Sequence, residues 1–149
     1  MEWVNRLRGT TVGLDTAPLI YFIERHPKYL PIVYPFFEAV QRGDIQVVTS
    51  TLTVTEVLVL PYKRGNFDLV DRYSHMLLNT RNLETLSVTP QIAGEAAKLR
   101  AANKIQTPDS IQLATALHAG ATAFVSNDSE IPSVTGIELI LLDNLLMQP

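Results

Sequence analysis

The chain has 149 residues, 46% of them hydrophobic and 18% charged, with no cysteine. A domain of this size buries roughly 70% of its unfolded surface, so it builds a core without staples. The missing cysteines exclude a disulfide framework, thiolate zinc sites and a cysteine nucleophile. The formal charge of −3 counts against a passive nucleic-acid-binding module, which is ordinarily basic, but leaves room for a site where bound cations supply the positive charge.

In chain order, Met1–Asp15 holds no continuous apolar segment of signal-peptide type. Within it Thr11–Leu14 reads as a strand closed by Asp15-Thr16. Pro18–Arg25 reads as a helix, with Asp15 or Thr16 as cap and Pro18 in the first turn, ended by His26-Pro27. Pro31–Arg42 is a second helix stopped by Gly43-Asp44, and Ile45–Thr49 a β-branched strand. Thr51–Leu60 reads as a helix despite its β-branched content. Asn66–Asn79 is another, with Phe67, Val70, Tyr73 and Leu77 on one side. Leu83–Val88 is a strand, Pro90–Asn103 and Thr107–Ala119 are helices, and Ala121–Val125 and Gly136–Leu142 are the last strands. Neither Pro18–Ile23 nor Ile137–Leu142 is long enough to span a membrane. The expectation is one cytoplasmic domain over residues 1–149, with no internal repeat or linker.

Strands separated by helices imply crossover connections: a three-layer α/β/α fold whose central, mostly parallel sheet has about five strands. Sites in such sheets form at the carboxyl ends of the strands. Asp15 ends the first strand there and Asp128 follows the strand Ala121–Val125. Glu56 lies in the helix after Ile45–Thr49, and Asp109 in the first turn of a helix that starts at the same rim. Four carboxylates in one place repel one another unless they are protonated or bind cations. One or two Mg²⁺ or Mn²⁺ ions, which prefer oxygen ligands, resolve this at neutral pH. Such ions activate water and stabilise the leaving oxygen in phosphodiester cleavage. The hydroxyls of Thr16 and Ser126 stand next to the acids and would orient a carboxylate or a metal-bound water.

Each acid also has an ordinary reading. Asp15 can cap a helix. Thr53-Val54-Thr55-Glu56 matches the capping-box pattern. Asp109 favours the positive end of its helix, and Asp128 lies in a turn-prone run. Convergence at one sheet edge is what separates the two readings.

The segments Val12–Tyr21, Glu56-Val57-Leu58, Thr107–Leu117 and Phe124–Asp128 resemble, in order and spacing, the motifs of PIN-domain proteins, closest in type to the VapC-like toxin ribonucleases of toxin–antitoxin pairs. The resemblance covers nearly the whole chain. It implies that Asp15, Glu56, Asp109 and Asp128 are the acids of a Mg²⁺ or Mn²⁺ site that cuts RNA. It also implies a homodimer and a small antitoxin partner. The chain departs from the family pattern in three places. Ser126-Asn127-Asp128-Ser129-Glu130-Ile131 leaves Glu130 as a rival or companion to Asp128, Ala17 replaces a common polar residue, and a longer leader precedes Asp15, expected to be a start-site artefact or an extra contact surface.

His26, His75 and His118 show no metal-ligand spacing, so a structural role is expected for each. Lys63-Arg64, and Arg100 with Lys104, are solvated cations or contacts to RNA phosphates. Tyr21, Phe22 and Tyr34–Phe37 are core, dimer packing or a groove for a partner helix. Two rival functions remain. One is a catalytically silent binding module of the same fold. The other is a phosphotransfer protein using Asp15, which Ala17 disfavours because the second Asp of phosphatases of that type is missing.

Overall fold

Period-two alternation along the strands divides the molecule into layers. Val12, Leu14, Val47, Ala123, Val125 and Ile140 join one buried cluster, whereas Val48 and Phe124, one residue out of phase, join another. A sheet buried on both faces reads as near-continuous apolar runs, as these strands do.

The computed structural model describes residues 1–146. Its elements are α1 (Glu2–Asn5), β1 (Thr11–Leu14), α2 (Thr16–Ile23), α3 (Leu30–Arg42), β2 (Gln46–Ser50), α4 (Thr51–Lys63), α5 (Phe67–Asn79), β3 (Leu83–Leu86), α6 (Pro90–Ala102), α7 (Thr107–His118), β4 (Ala123–Ser126), β5 (Glu138–Leu141) and α8 (Leu142–Leu145). The strand order is β3-β2-β1-β4-β5, and all four pairings are parallel. Residues of α1 through α5 pack on the first face, and α6 and α7 cover the second. The expected three-layer α/β/α architecture is what forms, with a sheet that is wholly parallel.

From β1 the chain builds outward to β3 and then returns to the other side of β1 for β4 and β5. The order therefore reverses between β1 and β4, and a crevice opens beyond their carboxyl ends.

The close fit of α7 on the sheet depends on Gly13. A Cβ there would stand 2.4 Å from Ala116 Cβ and 2.8 Å from Phe124 Cδ1. Neither neighbour can yield, because both are about 1% exposed. Gly13→Ala is expected to cost about 1–3 kcal/mol through overpacking, measured as a lowered urea midpoint with an unchanged slope; an unchanged midpoint would contradict this close approach.

Several boundaries differ from expectation for physical reasons. Helix α4 runs through Pro61 to Lys63 because Pro61 is itself buried in the packing. Strand β3 stops at Leu86, where its partner β2 runs out at Ser50. Ala121 lies in the turn that closes α7 rather than in β4, its N–H donating to Ala116 O. Beyond Leu141 the chain turns into α8 rather than continuing the strand. The four-residue helix α1, too short to carry a periodic signal, packs Trp3 and Val4 into the core, and the turn after it adds Leu7. The leader is thus part of the fold rather than an appended surface.

Candidate active site

Asp15 leaves β1 and caps α2. Its backbone N–H closes the sheet ladder on Val125 O at 3.0 Å. Its Oδ1 accepts from Thr16 N at 2.8 Å and its Oδ2 from Ser126 Oγ at 2.7 Å. The capping reading and the site reading therefore coincide, since the cap fixes the carboxylate at the crevice. Ser126, fully buried at the end of β4, also accepts from Asp128 N at 3.0 Å. One hydroxyl thereby ties the turn carrying Asp128 to Asp15.

Glu56 is not the partner of a capping box. Helix α4 starts at Thr51 with Ser50 as its cap, accepting from Leu52 N, and Thr53 already lies inside the first turn. The Glu56 carboxylate instead accepts from Thr16 Oγ1 at 2.8 Å. Both hydroxyls singled out from the sequence thus orient an acid: Ser126 holds Asp15, and Thr16 holds Glu56.

Asp109 sits in the first turn of α7, half-buried. Burial is the main cause that pushes its carboxyl up to about 7, followed by a hydrogen bond with Asp128 and then the negative charges of Asp128, Asp15 and Glu56. Burial also holds Asp15 above the ordinary carboxyl range, helped by the charge of Asp128 and opposed by the donors Ser126 and Thr16. The fold therefore brings the other three acids within electrostatic reach of Asp109, and Asp128 within reach of Asp15. Among the described residues no lysine or arginine pairs with any of them. Uncompensated carboxylates of this kind suit a hard divalent cation by the chemistry of their oxygen donors. As the side chains stand, no three acidic or histidine groups among the described residues close into a coordination shell.

Glu130 is exposed. Its backbone N–H donates to Asp128 Oδ1 at 2.9 Å, and it lines a cleft of about 520 Å³ together with Arg100, Lys104, Ile105, Gln106 and Asp109. The Arg100 guanidinium is held in place by Ile105 O at 3.0 Å and Thr107 Oγ1 at 2.8 Å. Cations thus flank the acids along one groove. Lys63 and Arg64 lie at the far end of α4 on exposed positions. Of the early aromatics, Phe36 and Phe37 are core, and Tyr34 is 45% exposed. His26 accepts from Lys28 N within its own turn.

Sequence reasoning missed Gln112, Ser50 and Thr49, buried polar residues joined beneath the acids. The available signal was Gln112 itself, an amide set directly before the small apolar run Leu113–Leu117.

Among solved structures, the chain is similar to VapBC2 from Rickettsia felis bound to promoter DNA (TM-score 0.66, 17% identity, 87% of this chain and 96% of that one). It is equally similar to a toxin–antitoxin complex from Klebsiella pneumoniae (TM-score 0.66, 20% identity, 89% and 98%). A third is Mycobacterium tuberculosis VapC20, described as a sarcin-ricin-loop-cleaving toxin (TM-score 0.63, 14% identity, 81% and 92%). At such identities the likeness establishes the shared fold. No curated protein sequence matches the chain. The family profile described as "PIN domain" matches residues 12–137, which span β1 to the edge of β5 and contain all four acids, and the chain therefore belongs to the PIN-domain family.

Proposed function

We propose that this protein is a metal-dependent endoribonuclease and the toxin of a toxin–antitoxin pair. The observation that carries the reading is the meeting of Asp15, Glu56, Asp109 and Asp128 at the crevice between β1 and β4, with Asp109 raised to about 7 by burial first and by the other three acids second. Asp15, Asp109 and Asp128 would hold Mg²⁺ or Mn²⁺, and Glu56 completes the site or orients water. The bound ion supplies charge neutralisation at the scissile phosphate and an activated water. The chain's own residues prepare that chemistry. Ser126 and Thr16 fix the carboxylates of Asp15 and Glu56 before any ligand arrives, and outer partners of this kind keep ligands in place. Asp128, in contact with Asp109, is favoured over Glu130, which takes the outer wall of the cleft.

Arg100 and Lys104 would receive backbone phosphates of the RNA next to the cleaved bond, where they position but do not read sequence. Replacing both with alanine is expected to raise KM for RNA about tenfold and flatten its salt dependence, with kcat largely kept. An unchanged salt slope would remove them from the interface.

A protein partner is supported by the apolar surface on the last turns of α4 and the start of α5. There Val59, Leu60, Tyr62 and Phe67 are between 47% and 64% exposed, and patches of this type mark interaction sites. The VapBC2 assembly and the Klebsiella pneumoniae toxin–antitoxin complex named above support a small antitoxin as that partner; a homodimer is also proposed. Among the described residues no helix is long and apolar enough to cross a membrane.

The test is cleavage of a pool of structured RNAs with Mg²⁺, Mn²⁺ or EDTA, run beside Asp15→Asn. Cleavage by the parent only with metal, and none by the variant, is expected. Equal cleavage by a correctly folded variant would overturn the assignment. The second reading is a silent binding module of the same fold, against which the presence of all four acids argues. A Mn²⁺ titration without uptake would select it.

A further inference from the structure

Beneath the acids runs a chain of polar side chains that hydrogen-bonds to none of the four carboxylates. Ser50 Oγ donates to Gln112 Oε1 at 2.8 Å, and Gln112 Nε2 donates to Thr53 Oγ1 at 2.7 Å. The Thr53 and Thr49 hydroxyls meet at 2.7 Å, and Thr49 Oγ1 donates to Leu14 O at 2.9 Å. All four side chains are 3% exposed or less.

The direction of each proton follows from the partners. Thr49 has a single hydroxyl proton and gives it to Leu14 O, so Thr53 must donate to Thr49. Thr53 is then only an acceptor toward Gln112, which fixes Nε2 on Thr53 and Oε1 on Ser50. With the amide reversed, the contact between the two threonines would have no proton left. The network thus has one self-consistent arrangement, and Gln112 holds its centre.

Its anchor points coincide with the elements that carry the acids. Leu14 immediately precedes Asp15 on β1. Thr53 lies three residues before Glu56 on α4, and Gln112 three residues after Asp109 on α7. Ser50 also caps α4. Apolar packing alone would leave the α7–α4 contact free to slide by fractions of an ångström. Directional bonds in a dry interior fix both distance and angle.

We propose that Gln112 is a positioning residue of the acidic site: its amide sets the spacing of α7 from α4 and β1, and so the placement of Asp109 relative to Glu56 and Asp15. The inference rests on the proposed nuclease reading for its activity readout, but it also has one of its own. Gln112→Met keeps the side-chain volume and removes the amide. Thr53→Val with Gln112→Met also replaces the facing hydroxyl with a methyl while leaving the Ser50 cap in place. Thermal midpoint, Mn²⁺ affinity by calorimetry and single-turnover RNA cleavage are measured for both variants and the parent.

Mn²⁺ affinity and kcat are expected to fall together, by up to about the 10–100-fold that loss of a group bonded directly to a metal ligand costs, with KM for RNA unchanged. The double variant should recover thermal stability without recovering either quantity. If affinity and kcat return together with stability, Gln112 is only a core residue and the inference fails. Should Gln112→Met not fold, the double variant decides in the same way. A parent that takes up Mn²⁺ but cuts no RNA would sink the nuclease reading and leave the Mn²⁺ comparison to decide this one. A parent that takes up no Mn²⁺ overturns both.

Discussion

Asp109→Asn is expected to abolish metal-dependent cleavage and, in the absence of metal, to make the protein more stable at neutral pH. Both effects have one origin. The Asp109 carboxyl, ordinarily near 3.8, is raised to about 7 by burial, by its bond with Asp128 and by the charges of Asp128, Asp15 and Glu56. Between those two values the folded chain holds a proton that the unfolded chain has released. Stability is therefore full below about 4 and declines as pH climbs to about 7, where the folded carboxyl also ionises. Asparagine removes the charge and with it this decline. Because Asp109 is only half-buried, solvent screening reduces the gain to about 1–2 kcal/mol. Urea unfolding in EDTA at several pH values should show the parent weakening toward pH 7 and the variant weakening less, the remaining slope coming from the raised Asp15 carboxyl. Added Mn²⁺ should reverse the order, stabilising the parent as a ligand of the native state and leaving the variant unmoved. The loss of cleavage should exceed the 10–100-fold that loss of an outer partner costs. If the parent's stability is flat from pH 4 to 7, the acids do not repel as described. If the variant still cuts with metal, Asp109 has no part in the reaction.

The same electrostatics explains which parts of the site were legible in the sequence. Acids at strand and helix ends are visible because each has an address: Asp15 follows an apolar strand, and Asp109 falls in the first turn after Thr107-Pro108. Sheet topology then decides whether the addresses coincide, and the order β3-β2-β1-β4-β5 brings them together. Glu56 shows where local pattern misleads. Thr53 and Glu56 have capping-box spacing, but the helix begins two residues earlier at Thr51. Thr53 is thereby freed to accept from Gln112, and Glu56 to accept from Thr16. Gln112 was not legible as a site residue because its partners lie 62 and 59 positions away, a pairing that only the packed helices create. The strands were found by their apolar runs, β1 with its own bounds, but the ends of the other four moved by one or two residues, as where β3 stops with its partner β2.

The second large effect concerns the leader, outside the matched span of the family profile at residues 12–137. Trp3→Ala is expected to cost about 3–5 kcal/mol, the usual range for emptying a buried aromatic site. Trp3 is 5% exposed and stacks on Phe36 with ring centroids 5.5 Å apart and planes 12° from parallel. Val4 and Leu7 are buried beside it, and Gly9 N bonds to Asp44 O at 2.8 Å, pinning the end of the leader to the α3–β2 turn. Four-residue helices do not persist on their own, so α1 exists because these side chains are buried, and truncating the largest should release the rest. Trp3 also carries a flaw: its Nε1 is buried with no hydrogen-bond partner, an arrangement that itself costs stability. Trp3→Phe removes that flaw and keeps most of the stacked area, so it should lose much less than the alanine variant. Since Trp3 is the single tryptophan of the chain, its fluorescence reports unfolding of the parent, while circular dichroism must follow the variants. A loss below about 1 kcal/mol in Trp3→Ala would mean that α1 is held from elsewhere and that the core begins, like the family profile, at β1.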